Sequence, residues 1–139
     1  MPPARNLIAF AGLLIVGGCF VVFWNRPTHG YGYTRDASPV YGLPEDASDI
    51  DFYDYGYMPN TAFSFQTTEA NFNTWSRTFS GISLISDRSG SIYYIEPTGE
   101  GHAVSTADGI EYGWTEEDRG QHTLYDRPSG RAYYWSHTR

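Results

Sequence analysis

From Leu7 to Trp24 the chain runs for 18 residues without a charged or strongly polar side chain, and this run decides what the rest can be. As a helix rising about 1.5 Å per residue it is roughly 27 Å long, close to the hydrocarbon thickness of a bilayer. A surface-packed core helix needs a polar face, and this run has none. Trp24 closes it where an interfacial aromatic belongs, and Arg5 and Arg26 flank it as headgroup anchors. The chain therefore divides into a short tail (1–6), a transmembrane helix or signal segment (7–24), a tether (25–41) and a folded domain (42–139).

Within the run, Val16-Gly17-Gly18-Cys19 resembles the bacterial lipoprotein cleavage box, which makes Cys19 the candidate lipidation site. The residues after it argue the other way. A mature lipoprotein starts with a polar tether, whereas Phe20-Val21-Val22-Phe23-Trp24 is apolar and completes the bilayer length. An uncleaved single-pass anchor in the cell membrane is the favoured reading, with lipidation at Cys19 as its competitor. Positive charge is balanced across the run and does not set the orientation; a six-residue tail most simply stays in the cytoplasm, leaving the domain extracytoplasmic. Cys19 is the only thiol, so the chain forms no internal disulfide and no paired-Cys zinc site.

After Asn25 there are eight Arg against sixteen Asp and Glu, and no Lys. Such a surface lacks the clustered cations that release counterions from a phosphate backbone, which excludes nucleic acid as the expected partner. Asn25 to Ala47 is rich in Pro and Gly without a hydrophobic period and reads as the tether, passing into the domain near Gly42.

The period then becomes two. Ile50 and Phe52 alternate with Asp51, Tyr53, Tyr55 and Tyr57, a strand with an aromatic-polar face, and Phe63 and Phe65 mark a second strand. A helix is expected next: Thr67 or Thr68 caps it, Glu69 suits its positive end, Phe72, Trp75 and Phe79 share one face, and Gly81 ends it. Five strands are expected after that, over 82–85, 91–96, 110–115, 121–126 and 131–137. PTGEGHAV between them reads as a flexible loop entering a strand. ISDRSGSIYY and YDRPSGRAYY carry similar turns, each fitting a type I turn closed by a left-handed Gly.

Chemistry-bearing patterns are sparse. With a three-residue turn, Arg127 pairs with Arg131, His122 faces Ser136, and His137 falls on the other side of the sheet, so the two imidazoles do not share an ion; a one-residue change in the turn reunites them. Asp49, Asp51 and Asp54 lack the Gly and the terminal Glu of a calcium loop. No nucleophile elbow or phosphate loop occurs. No catalytic, cofactor or metal residues are assigned.

Gly42-Leu43-Pro44-Glu45-Asp46-Ala47-Ser48-Asp49-Ile50, the aromatic strand after it, Phe63 and Phe65, and Glu69 with Phe72 and Trp75 together resemble the opening of small uncharacterised bacterial membrane-anchored or lipoprotein-like domains. The likeness covers residues 42–75 and implies an envelope-facing α+β domain, with no catalytic residues to carry over.

The resulting expectation is an α+β protein: an N-terminal transmembrane helix, then a mainly antiparallel sheet packed against one amphipathic helix. Tyr53, Tyr55, Tyr57, Tyr93, Tyr133 and Trp135 exceed what one core needs, and exposed amphipathic aromatics usually contact something. The expected role is thus non-catalytic binding or support of a protein partner. Two alternatives stand beside it: a Cys19-anchored lipoprotein whose aromatic face binds carbohydrate, and a hydrolase using a carboxylate pair.

Overall fold

A computed structural model describes residues 28–56 and 60–138. Leu7 to Trp24, Cys19 and Tyr57 lie outside those residues; among the described residues no helix is long and apolar enough to cross a membrane.

Among the described residues nine strands form: β1 (Thr28–Tyr33), β2 (Ser48–Asp54), β3 (Thr61–Gln66), β4 (Ser83–Ser86), β5 (Gly90–Ile95), β6 (Gly101–Thr106), β7 (Gly109–Glu116), β8 (Arg119–Asp126) and β9 (Arg131–Thr138). Seven of them make one antiparallel sheet in the order β1-β2-β3-β9-β8-β7-β4, and β5-β6 is a separate hairpin. Two meanders, β1-β2-β3 and β7-β8-β9, join where β3 pairs with β9 (Phe63 opposite Tyr134, Phe65 opposite Ala132).

This corrects the α+β expectation. The described residues are mostly antiparallel sheet with one helix, α1 (Glu69–Ser76), of eight residues. At about 3.6 residues per turn it makes only two turns, so it adds Phe72 and Trp75 to the core without forming a helical layer of its own. Thr68 caps α1 by accepting from the Asn71 amide, but after Ser76 the chain leaves the helix through Arg77 and the Thr78 hydroxyl donates back to the Trp75 carbonyl. The 72/75/79 spacing misled because Phe79 reaches its place on Trp75 from a turn, edge to face at 5.0 Å, and needs no third helical turn.

Period-two patterning gives the main sheet two faces. On one, Ile50, Phe52, Phe63, Phe65, Ile110, Tyr112, Tyr125 and Ala132 pack with Phe72 and Trp75 of α1 and with Leu43 and Ala47 of the β1–β2 connection. Phe63 stacks on Tyr134 at 4.4 Å and Phe65 meets Trp75 edge-on at 5.0 Å. Inside this helix face the hydroxyls of Ser76 and Thr123 pair at 3.0 Å, so neither is left without a partner. The β5-β6 hairpin lies across the opposite, hairpin face, burying Ile92 and Tyr94 there.

Two boundaries differ from expectation. Thr28–Tyr33, assigned to the tether, is the edge strand β1, paired with β2. PTGEGHAV, read as a flexible loop entering a strand, is a tight β5-β6 turn followed by most of β6, because its first residues reverse the chain: the Gly99 amide donates to the Glu96 carbonyl and the Glu96 amide to the Glu100 carbonyl.

Candidate functional site

Functional side chains gather on the hairpin face, and the β8-β9 turn explains why. Asp126 pairs with Arg131, so the loop is Arg127 to Gly130, four residues long, closed by the Gly130 amide on the Asp126 carbonyl with Gly130 at φ 67. The three-residue turn is thereby corrected, and with it the register: His122 faces Trp135 and His137 faces Gly120. His122, Trp135 and His137 then share the hairpin face, with Trp135 stacked on His137 at 4.2 Å and beside His122 at 6.0 Å. The His122 Nε2 lies 3.0 Å from the Thr115 hydroxyl. Burial, and then the charge of His137, hold His122 below the usual imidazole range. Among the described residues no third His, Cys, Asp or Glu joins this pair to make a three-ligand metal group.

The aromatic set separates on folding. Tyr53 is buried, with Gly99 of the β5-β6 turn against its ring, so it packs instead of presenting a surface. Tyr55 is exposed beside it at 6.4 Å. Tyr93 is exposed and meets the half-buried Trp135 at 5.2 Å and 63°. Tyr133 is half-buried against Tyr94, 5.4 Å apart at 83°. These rings cross each other and do not form a flat row.

Between the main sheet and the hairpin lies a cleft of about 240 Å³. Arg131 lies at its base. Its guanidinium donates to Asp49 at 2.7 Å, to Asp51 at 2.5 Å and to the Ser64 hydroxyl at 2.9 Å. Asp49 sits in a β-bulge with φ 47, a conformation Asp tolerates better than most residues, and there its carboxylate meets Arg131. The other Asp51 oxygen accepts from the Gly32 amide at 2.8 Å, which fastens β1 to the cleft. The Tyr94 hydroxyl donates to Ser64 at 3.1 Å. Burial pushes the Tyr94 phenol up to about 12; the Ser64 hydrogen bond opposes this and the Asp51 charge adds to it. At the mouth, His102 lies 3.8 Å from Glu96, and Tyr31 is exposed.

Sequence reasoning missed Arg131, Ser64, Tyr94 and His102 as cleft residues. Arg131 belongs to no chemistry-bearing motif, and nothing in the pattern laid the strand that PTGEGHAV enters across the sheet. The available signal was the hairpin turn: counted at four residues, it puts Arg131, Tyr133 and Trp135 on the same face as His122 and Leu124.

A second charged centre, Arg127, fastens four connections together. It bonds Glu69 at the start of α1 (2.8 Å), Asp87 after β4 (2.5 Å) and Asp108 before β7 (2.9 Å). Those three carboxylates hold its guanidinium charged well beyond the usual range. Alongside, Asp126 accepts from Thr106 and Ser129; burial raises its carboxyl and these bonds more than reverse the effect, leaving it below the usual range. Asp46 behaves alike, lowered by Thr67, Thr68 and Asn71 against burial, and ties the β1–β2 connection to the start of α1. These networks join loops to one another and present no cleft.

Comparison with known proteins gives no match: no family model, no curated protein and no solved structure aligns with the chain.

Proposed function

We propose that the protein is a membrane-anchored, non-catalytic envelope protein whose extracytoplasmic domain binds a protein partner by strand addition at β4. The observation that carries this reading is the composition of that edge. β4 reads Ser83-Leu84-Ile85-Ser86, ends the sheet, and leaves Leu84 54% and Ile85 53% exposed. Edge strands are normally guarded by charge, Pro or a kink. β1, at the other edge, is kinked between Gly30 and Tyr33, and its Gly32 amide is already taken by Asp51. β4 carries no charge of its own, and although it shifts register at Ile85 it stays open on its outer side among the described residues.

An extended segment with alternating apolar side chains suits such an edge, since the main chain supplies hydrogen bonds and Leu84 and Ile85 supply contacts above and below. The acidic character of the chain favours a neutral or basic segment. Carbohydrate binding has less support, because stacking on sugars asks for coplanar exposed rings and these cross at 63° and 83°. The hydrolase reading has less as well: Asp49 and Asp51, the nearest carboxylate pair, are committed to Arg131.

A photo-crosslinking residue at position 85 tests the edge in living cells. A discrete adduct of foreign mass is expected there, absent from the same probe at the 91%-exposed Tyr41 and lost when Leu84→Glu is added. An adduct at both positions alike, none at 85, or one of twice the chain's own mass overturns the reading. The form of the anchor is read from lipid labelling: label lost in Cys19→Ser assigns a lipoprotein, and an unlabelled full-length chain in the membrane assigns the uncleaved span.

A further inference from the structure

The hairpin-face cleft is distant in the strand order from β4, and its chemistry is independent of strand addition. We infer that it is a binding site for a compact organic cation, a protonated amine or a quaternary ammonium group.

Charge points to this first. Arg131 is the cation of the cleft, and it already faces Asp49 and Asp51 at ion-pair distance. Glu96 at the mouth adds a further carboxylate, with the imidazole of His102 beside it. An anionic ligand would meet Asp51 and Glu96 with no uncommitted positive group to answer them. Asp49, Asp51 and Glu96 outnumber the Arg131 guanidinium, so a cation gains from the net negative charge, chiefly from Glu96 at the mouth. A bare metal ion is disfavoured, because among the described residues no three ligating side chains converge.

Shape gives the second argument. Tyr94 forms the inner wall and stands nearly perpendicular to two neighbours, His102 (6.1 Å, 80°) and Tyr133 (5.4 Å, 83°), while Tyr31 stands at the opening. Tyr94, almost fully buried, closes the inner end, and the more exposed rings of Tyr31, His102 and Tyr133 offer a rounded cation aromatic surface on more than one side, which fits a flat sugar poorly. Tyr94 is pinned by its bond to Ser64, itself held by Arg131, so the inner end is preformed. At about 240 Å³ the cleft lies below the range for drug-sized ligands and suits one ammonium head with its nearest methylenes.

Two sources share this chemistry, a free quaternary ammonium compound and the lysine side chain of a protein. The test is a titration of the full chain in a polyoxyethylene detergent, followed by two-dimensional NMR at His102 and Tyr133. Its probes are tetramethylammonium, N-acetyl-lysine amide, the neutral isostere neopentyl alcohol and a set of monosaccharides. Binding near the millimolar range is expected for a cation, at least about fivefold tighter than for neopentyl alcohol. Glu96→Gln is expected to weaken it roughly fivefold and Tyr31→Ala roughly threefold, with unchanged melting, since both side chains are at the open mouth. Preference for tetramethylammonium assigns the free compound, and preference for the lysine amide assigns the side chain. Equal binding of the neutral alcohol, binding of a sugar but no cation, no binding at all, or indifference to Glu96→Gln overturns the site. Because the crosslink at position 85 reports on another edge, either result stands without the other.

Discussion

The two faces of the main sheet are built from the same alternating strands and do opposite things. The helix face is apolar at its centre: Phe65 and Phe72 are fully buried, and aromatic rings pack there between the sheet and α1. The hairpin face is polar at its centre, where Arg131, Asp49, Asp51, Ser64 and Tyr94 satisfy one another around a cleft. Stability is therefore expected to concentrate on one side and binding on the other. The contrast has a physical root in coverage. α1 and the preceding loop bring apolar side chains to one face, whereas the hairpin brings Tyr94, Glu96 and His102 to the other and leaves a gap.

The sharpest way to break the comparison is to empty one side chain from each face. Phe65→Ala removes a fully buried ring in contact with Phe63 and Trp75, and should cost about 3–5 kcal/mol in urea unfolding. Tyr93→Ala removes a ring that is 46% exposed and should cost under about 1 kcal/mol. Equal losses would remove the asymmetry. Next in size is Arg131→Ala, which leaves two carboxylates facing each other on the polar side. A cost of about 2 kcal/mol is expected, reduced from the full buried-pair figure because Asp49 is half exposed. Arg131→Met should recover little of it, since the carboxylates stay unpaired; full recovery would mean that the side chain acts by packing.

A smaller effect tests the apolar centre of the helix face itself. Thr123→Val keeps the shape and leaves the buried Ser76 hydroxyl without its partner, for about 1–2 kcal/mol. If Ser76→Ala restores the double variant to near the parent stability, the pair is an isolated polar island. A persistent loss would show that Thr123 also serves the core in another way.

How much of this was legible depends on which interaction set each element. β2 and β3 were visible because Ile50, Phe52, Phe63 and Phe65 alternate, and burial enforces that alternation locally. The length of α1 was not, since Phe79 keeps helical spacing from Trp75 without being helical. Its place is set by Trp75 of α1 and Tyr134 of β9, which pack against it. β1 was hidden for a related reason: Gly30 and Gly32 give no period, and the strand is held by pairing with β2 and by Asp51, both remote in sequence. The cleft was the least legible part. It depends on a hairpin lying across the sheet and on a turn one residue longer than the type I expectation, and each change of one residue moves a whole strand to the other face.

That single residue also decides the smallest prediction. Because the four-residue turn puts His122 beside His137, burial and like charge both disfavour protonated His122 in the folded protein. A base whose folded pKa lies below its unfolded value near 6.5 contributes its stability in full above that value, and loses it as pH falls toward the folded value. Asp46 and Asp126, also lowered, lose theirs only further down, below the ordinary carboxylate value of 3.8. The interval between pH 6.5 and about 4.5 thus separates the imidazole from the carboxylates. Urea midpoints measured at pH 7.5 and pH 5 should fall with acid in the parent chain and fall less in His122→Phe, which keeps a ring against Trp135 while removing the titrating group. An unchanged acid loss in that variant would mean that a group other than His122 carries the loss.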